Sequence, residues 1–299
     1  MNGSIVRLKR AYPDQEVYLF HQDSLILSPS KQIKLYPFLL DPGTRALITC
    51  GGIHSQHALA VAYECVQRNW RCYLFLRGRP IASPLGTHLL LQLLAPSISY
   101  LSEKEYRHSK ETRMYALAEQ LAQQGTQARV IPEGALEVPG EENPLTQQYL
   151  QEIRHYEQTH HLEFDRLLIA LGTGGTYLHL LKASQQIPLK AKLTGVPALA
   201  TPDYFIQRWK NLGLENTWEL WETPDFRAFG KLDPHVANTV KRVACAEGIL
   251  LDPLYDGKVV FTLDHYFQQG KYLQEKILLW HTGGIFDLFS LEWKFHETR

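Results

Sequence analysis

Short apolar runs alternate with amphipathic segments along the first half of the chain, and this alternation predicts its secondary structure. The apolar runs predict the strands Val17–His21, Ala46–Cys50, Arg71–Leu76, Ile98–Leu101 and Ala128–Ile131. The segments between them predict the helices Lys31–Leu40, His57–Arg68, Gly86–Leu94 and Lys110–Gln124, the last of these capped by Ser109. Strands that alternate with helices in this way predict a parallel sheet with right-handed crossovers.

A turn-rich acidic stretch, Glu137–Pro144, interrupts the pattern, and a second alternating region follows it. This region predicts the strands Asp165–Leu171, Leu193–Val196 and Ile277–Trp280. Its predicted helices are Leu145–His160, Tyr177–Ala183, Pro202–Lys210, Pro234–Cys245 and Gly257–Gln269. The aromatic stretch Asn216–Arg227 fits neither period and is assigned no element. The predicted fold class is α/β, with two units that each contain an open, twisted, mostly parallel sheet flanked by helices.

Charge and composition narrow the range of functions. Lys plus Arg and Asp plus Glu are equal at 31 each, so we expect neither a nucleic-acid partner nor a membrane-surface role. The four cysteines have no metal-type spacing, and His54 and His57 lack an evident third ligand, so we expect reduced thiols and no metal. The chain shows no signal-peptide core and no apolar run of membrane-spanning length, and we therefore expect a cytoplasmic protein.

Candidate chemistry is found in the glycine-rich stretch Gly172–Thr176, which follows an apolar strand and precedes a helix. Backbone N–H groups at such a turn have no intrahelical partner, so they can bind phosphate, and two threonine hydroxyls add donors. A glycine turn without a ligand is the alternative. The stretch is not a Walker loop, because no Gly-Lys-Ser/Thr follows it, and it is not a GxGxxG motif.

A second candidate lies within residues 28–58, where an amphipathic run is followed by a strand, a Gly-Gly turn and a helix that opens at Ser55. The amine of Lys31 could form an imine with a carbonyl cofactor, and a nearby cation, Lys34, would lower its pKa. The helix N-terminus at Ser55 suits an anion such as a substrate carboxylate. A solvated lysine and an ordinary N-cap serine are the alternatives.

Several ordered motifs resemble one enzyme family. They are Lys31-x-x-Lys34-Leu35, TCGGIHS at Thr49–Ser55, GTGGT at Gly172–Thr176, EGILLDPLYDGK at Glu247–Lys258 and HTGG at His281–Gly284. In these motifs the chain is similar to the 1-aminocyclopropane-1-carboxylate (ACC) deaminase and D-cysteine desulfhydrase family. Its members are pyridoxal 5'-phosphate (PLP) enzymes of fold type II, the tryptophan synthase β-like fold. The resemblance implies a larger cofactor-binding domain of residues 1–36 and 136–299, a smaller inserted domain of residues 37–135, and a homodimer.

The resemblance also implies a role for individual residues. Lys31 would carry the cofactor, and Lys31, Ser55 and Tyr255 would be the catalytic residues. The other cofactor contacts would come from Gln56, Gly172, Thr173, Gly174, Gly175, Thr176, Asp256 and Thr282. The substrate, a small amino acid, would be held by Ser55, Gln56, His57 and Tyr255.

The chain departs from the family pattern near several of these positions. Pro29-Ser30 stands where a Gly-Asn pair is usual, Gln56 where Asn is usual, Phe229 where a catalytic-site Tyr is usual, and Ala135-Leu136 where Gly-Ser is usual. Asp256 with Thr282 is a mixed signature. ACC deaminases resemble each other in having Glu with Leu at these two positions, whereas D-cysteine desulfhydrases have Thr or Ser with Thr.

These features predict a PLP-dependent deaminase or lyase. Thr282 favours β-elimination from D-cysteine, which gives a keto acid, ammonia and sulfide. ACC ring opening and a bulkier amino-acid substrate are the alternatives within the same enzyme class. A catalytically degenerate protein that only binds PLP or an amino acid is the alternative of another class.

Overall fold

The computed structural model describes residues 4–21, 28–135, 143–198, 200–211, 218–224, 232–289, 291 and 293. The strands in these residues are β1 Ser4–Arg7, β2 Glu16–His21, β3 Ala46–Gly52, β4 Arg71–Arg77, β5 Ser97–Leu101, β6 Ala128–Ile131, β7 Arg166–Leu171, β8 Lys192–Pro197, β9 Glu219–Leu220 and β10 Lys276–Trp280. The helices are α1 Pro29–Leu35, α2 Gln56–Arg68, α3 Gly86–Leu94, α4 Glu103–Gln123, α5 Pro144–His160, α6 Gly175–Ser184, α7 Pro202–Asn211, α8 Pro234–Glu247 and α9 Asp256–Gln268.

The chain divides into two compact units, which are described separately below. Unit 1 is Met1–Ile33 with Val138–Arg299, and unit 2 is Lys34–Glu137. The domain boundaries predicted from the sequence, after residues 36 and 135, differ from these by three and two residues. Both units contain a largely parallel sheet with helices, so the predicted α/β class is confirmed.

Unit 1 is built on a six-stranded sheet in the order β1-β2-β10-β7-β8-β9. All neighbouring strands in it are parallel except β1, which pairs antiparallel with β2. The central strand β7 is buried at every position, as expected for a parallel strand covered on both faces. Its residues alternate between two apolar clusters, with Leu167 and Ile169 in one and Leu168 and Ala170 in the other. The carboxyl ends of β10 and β7 therefore lie side by side at one edge of the sheet.

Unit 2 contains a four-stranded, fully parallel sheet in the order β5-β4-β3-β6. Its central strand β3 is apolar and buried from Ala46 to Gly51 and ends at Gly52. Three residues separate the end of this strand from the start of helix α2, in the strand–turn–helix order that the sequence predicts. Cys50, Cys65 and Cys72 are buried, reduced thiols of this unit.

Three predictions of local structure need correction. Helix α4 begins at Glu103 rather than Lys110, because Ser102 and not Ser109 is its N-cap and forms a capping box with Glu105. Helix α1 ends at Leu35 rather than continuing to residue 40, because Pro37 lacks the N–H that an α-helix needs and a short 3₁₀ turn follows. The short strands β1 and β9 were not predicted, since neither has a recognisable period.

Candidate active site

The residue predicted to carry the cofactor, Lys31, lies in the first turn of α1 in unit 1. Two serines just before Lys31, Ser28 and Ser30, are held by the end of β10 and the residues that follow it. Ser28 donates its hydroxyl to the carbonyl oxygen of Thr282 at 2.7 Å, and the indole N–H of Trp280 donates to the hydroxyl oxygen of Ser30 at 2.9 Å. Both contacts are buried. The backbone that leads into Lys31 is therefore held against the HTGG turn, although Pro29-Ser30 replaces the family's usual Gly-Asn pair.

The glycine-rich stretch Gly172–Thr176 follows β7 and leads into α6. Gly174 is the N-cap of this helix with φ of 84°, a conformation that glycine adopts without strain. The hydroxyl oxygen of Thr173 is buried and has no hydrogen-bond partner among the described residues. Thr176 donates its hydroxyl to the carbonyl oxygen of Ser30 at 3.4 Å, which connects this turn to the Lys31 segment. The turn thus combines an uncapped helix N-terminus with a buried, unpaired hydroxyl, and both suit a bound phosphate.

Tyr255 packs against the first glycine of this turn. A Cβ atom at Gly172 would lie 2.8 Å from Cε1 of the Tyr255 ring, so only glycine leaves room for the ring. The backbone N–H of Tyr255 donates to the Asp252 carboxylate at 2.6 Å, which fixes the turn before α9. The phenol makes no hydrogen bond to a described residue, and burial raises its pKa, so it remains a proton donor at neutral pH.

Asp256 and Thr282, the pair with the mixed family signature, are joined directly. The Thr282 hydroxyl donates to Oδ1 of Asp256 at 2.8 Å, and the Thr282 backbone N–H lies 3.1 Å from both carboxylate oxygens. Nε2 of His281 is 3.5 Å from Oδ2 of the same carboxylate. Burial raises the pKa of Asp256, while His281 and the hydrogen bonds from Thr282 oppose this shift.

Buried charges surround Lys31. Burial lowers the pKa of its amine, and the carboxylates of Asp252, Asp256 and Asp287 partly oppose that shift. The dominant cause is therefore burial, which the sequence pattern did not indicate. All three carboxyl groups are almost completely buried. Burial also raises the pKa of Asp252 strongly, and the charges of Asp256 and Asp287 add to this effect.

The predicted substrate-binding residues Ser55, Gln56 and His57 lie at the start of α2 in unit 2. Ser55 is the N-cap and accepts the backbone N–H of Ala58 at 3.1 Å, so the N-cap interpretation holds. Gln56 donates its side-chain N–H to the hydroxyl of Thr87 at 2.6 Å.

Nε2 of His57 lies 2.8 Å from the hydroxyl oxygen of Thr49, which itself donates to the carbonyl oxygen of Ile131. The Thr49 proton is thus committed, which assigns Nε2 of His57 as the donor. His57 is almost completely buried and takes part in the interior of unit 2.

Two residues of unit 1 at this site were not singled out from the sequence. Asp252 appears in the EGILLDPLYDGK motif but was given no role, although its carboxylate accepts the backbone N–H of Tyr255. Asp287 gave no signal, because a single acid within the apolar stretch IFDLF has no motif, and its burial is visible only in the fold. Phe229 and Leu136, where the chain departs from the family pattern, lie outside the described residues.

Other kinds of site were searched for within the described ranges. No group of three or more His, Cys, Asp or Glu side chains there is arranged to hold a metal ion. No helix in this part of the chain is both long and apolar enough to cross a membrane.

Comparison with known proteins gives relatives of one kind. The chain is 30% identical over 269 residues to a provisionally named ACC deaminase of Pyrococcus abyssi, covering 84% of this chain and 77% of that protein. It is 29% identical to the bifunctional, mitochondrial D-cysteine desulfhydrase/ACC deaminase of Arabidopsis thaliana, covering 84% and 66%. It is 25% identical to the D-cysteine desulfhydrase of Serratia proteamaculans, covering 93% and 89%. No family model matches the chain.

Solved structures give the same result. The crystal structure of an ACC deaminase homologue superposes with a TM-score of 0.79 at 25% identity, covering 97% of this chain and 91% of that one. The threonine deaminase of Solanum lycopersicum, at 12% identity, shares the fold with a TM-score of 0.64. The fold is that of the fold type II enzymes, the class to which these PLP enzymes belong. The chain belongs to the ACC deaminase and D-cysteine desulfhydrase family and is an enzyme of the deaminase and lyase type.

Proposed function

We propose that the chain binds PLP in unit 1 and that Lys31 is the covalent attachment residue. The observation that carries the proposal is the direct bonding of the Lys31 segment to two ligand-type turns, through Ser28 to Thr282 and through Ser30 to Thr176. Gly172–Thr176 would hold the phosphate through the N-terminus of α6 and the unpaired hydroxyl of Thr173. Asp256, held by Thr282, would face the pyridine nitrogen and favour its protonated form.

The bound cofactor would supply the electron sink for the pair left at the substrate Cα when its proton is removed. The chain's own residues would handle the protons. Nζ of Lys31, whose pKa is lowered by burial, would take the Cα proton as a neutral amine. The phenol of Tyr255, kept protonated by its buried position, would donate to the leaving group or hold the substrate. The chemistry would therefore need one base and one acid, and burial shifts the pKa of each group in the direction that its role requires.

We propose D-cysteine as the leading substrate. Overall, D-cysteine and water would give pyruvate, ammonia and sulfide. Thr282, whose hydroxyl is bonded to Asp256, matches the D-cysteine desulfhydrase signature at this position and supports the assignment. Ser55 and the backbone N–H groups at the start of α2 would bind the substrate carboxylate, with Gln56 and His57 beside them. The other role predicted for Gln56, a contact to the cofactor, stays a prediction.

ACC ring opening is the second candidate, favoured by the acidic residue at position 256 and by the ACC deaminase names among the relatives. A bulkier amino acid is a third candidate, motivated by the apolar replacements at positions 136 and 229. A protein that binds PLP or an amino acid without turnover is the alternative outside catalysis. Retention of Lys31, Ser55 and Tyr255 supports an enzyme rather than this last alternative.

The visible spectrum of purified protein and a product assay test these proposals together. We expect an absorption band at roughly 410–420 nm, the usual region for lysine-bound PLP, which Lys31→Ala abolishes. We then expect pyruvate and sulfide from D-cysteine with wild type and not with Lys31→Ala. Ammonia and 2-oxobutanoate from ACC instead would establish the second candidate. A colourless protein that stays colourless with added PLP would refute the cofactor assignment.

We also propose a homodimer, on the family resemblance alone. Light scattering coupled to size-exclusion chromatography should give twice the 34.4 kDa chain mass. A single-chain mass at micromolar concentration would contradict this proposal.

A further inference from the structure

Lys258, the last residue of the EGILLDPLYDGK stretch, is a buried lysine to which the proposed chemistry gives no role. It is the third residue of α9, and its side chain is directed into unit 1. Its ammonium group donates to the carbonyl oxygen of Ala198 at 2.6 Å. Burial lowers the pKa of Lys258, while the carboxylates of Asp252 and Asp233 oppose this shift. A buried ammonium costs more than an apolar side chain of the same size, so its position calls for a specific explanation.

The acceptor of this hydrogen bond adjoins the proposed phosphate turn. Ala198 directly follows β8, and its own N–H donates to the carbonyl oxygen of Leu171 at 3.0 Å. Leu171 is the last residue of β7, immediately before Gly172. Two hydrogen bonds, with the single residue Ala198 between them, therefore connect the Lys258 ammonium to the backbone that opens the glycine-rich turn.

The other end of Lys258 adjoins the proposed partner of the pyridine ring. Its backbone N–H donates to the carbonyl oxygen of Tyr255 at 3.0 Å, and Asp256 lies two residues before it in the same helical turn. Lys258 thus bridges two elements that are far apart in sequence, the start of α9 and the end of β8. Helix α9 carries Asp256, the proposed partner of the pyridine ring, and the end of β8 adjoins the turn proposed to bind the phosphate.

We propose that Lys258 is a positioning residue that fixes the spacing between the phosphate turn at Gly172–Thr176 and the ring partner Asp256. It does so through Ala198 and Leu171, without itself touching the cofactor. This inference rests on the proposed function, because the spacing matters only if one ligand uses both ends. This role explains why a charged side chain is buried at position 258, because an ammonium group holds a carbonyl oxygen at a fixed distance and an apolar side chain does not.

Binding of a whole ligand can be compared with binding of its two halves. Pyridoxamine 5'-phosphate has no aldehyde to react with Lys31 and would contact both ends of the proposed site, whereas inorganic phosphate and pyridoxamine would each contact one end. We expect Lys258→Met to weaken binding of pyridoxamine 5'-phosphate by about 10- to 100-fold, the worth of one charge-assisted hydrogen bond. Binding of the two fragments should change by less than about 3-fold, because neither depends on the spacing.

Arg242→Met is the matched control. Arg242 is also a partly buried cation of unit 1, and it bonds to the Ala11 carbonyl and to Asp264 rather than to any residue of the proposed site. It should lower stability without changing the affinity for pyridoxamine 5'-phosphate. Lys258→Gln keeps a neutral donor in similar space and should give an intermediate loss. If far-UV circular dichroism shows that Lys258→Met does not fold, the binding comparison is made with Lys258→Gln instead.

The outcomes separate this inference from the proposed function. Wild type that binds pyridoxamine 5'-phosphate while both Lys258 variants bind it equally well overturns the inference alone. A parallel loss of whole-ligand and fragment binding also overturns it, since that pattern indicates general damage to the site. Wild type that fails to bind pyridoxamine 5'-phosphate overturns the proposed function, and this inference with it.

Discussion

The contact between Gly172 and the Tyr255 ring allows a quantitative prediction. In Gly172→Ala the new Cβ would lie 2.8 Å from Cε1 of the ring, and because ordinary contacts begin at 3.4 Å, a shift of about 0.6 Å would restore an ordinary contact. Gly172 has no positive φ, so the backbone itself accepts alanine. A displacement approaching 1 Å at a catalytic group costs up to about 100-fold in rate, and we expect kcat to fall by roughly 10- to 100-fold. Overpacking should cost about 1–3 kcal/mol of stability.

Steady-state pyruvate formation from D-cysteine, or turnover of whichever substrate the enzyme accepts, measures this loss. Gly270→Ala is a stability-matched control, because Gly270 has φ of 73° and nothing within 4 Å of a new Cβ. It should lose about 1 kcal/mol through backbone strain and keep its kcat. The decisive comparison is Gly172→Ala in a Tyr255→Phe background, where no hydroxyl remains to be misplaced. The kcat effect of Gly172→Ala should largely disappear there, and an undiminished effect would refute the reasoning.

Three further predictions follow from single contacts. Thr282→Val removes the hydroxyl that donates to Asp256 and should lower kcat by about 10-fold or more. Thr282→Ser keeps the hydroxyl and should retain most of the activity. Equal rates for the two variants would contradict a role for this hydrogen bond. Asp287→Asn removes a carboxylate that stabilises the Lys31 ammonium, so the pKa of Lys31 should fall further. Cyanate should then modify Lys31 of the cofactor-free protein from a lower pH, as followed by peptide mass spectrometry, while the exposed control Asp203→Asn leaves that pH unchanged. Ser102→Ala should destabilise the protein by about 1 kcal/mol in urea unfolding and Ser109→Ala by clearly less, with the reverse order contradicting the observed N-cap.

The sequence was most informative about features that depend only on residues close together in the chain, such as turns and helix caps. The turn at Gly172–Thr176 follows from an apolar strand, a glycine cluster and a helix in succession, and the structure shows this arrangement. The N-cap role of Ser55 was similarly local. The start of α4 could also have been found, because Ser102 and Glu105 form the S-x-x-E pattern of a capping box.

Contacts over long sequence distances could not be predicted in the same way. Nothing near Asp287 indicates that its carboxylate is buried close to Lys31, more than 250 residues earlier in the chain. The hydrogen bond from Lys258 to Ala198 likewise depends on how β8 and α9 pack. From the sequence alone, a lysine is expected to be exposed to solvent. The family resemblance matched Asp252 within a motif without giving it a role and did not include Asp287 at all, and the burial of both carboxyl groups is visible only in the fold.

The sheet order of unit 1 has a consequence for how the chain acquires its structure during synthesis. Strand β2, near the start of the chain, has β1 on one side and β10 on the other, and its pairing partners in β10 are residues 276–280. Until those residues leave the ribosome, β2 has an open edge and Lys31 lacks the turn that fixes its backbone. The sheet of unit 2, whose strands all lie within residues 46–131, can form while the ribosome is still translating the rest. Lys31 therefore gains the contacts that fix its backbone only after residues 276–280 have been synthesised, and a chain truncated before them would contain the sheet of unit 2 and an incomplete sheet in unit 1.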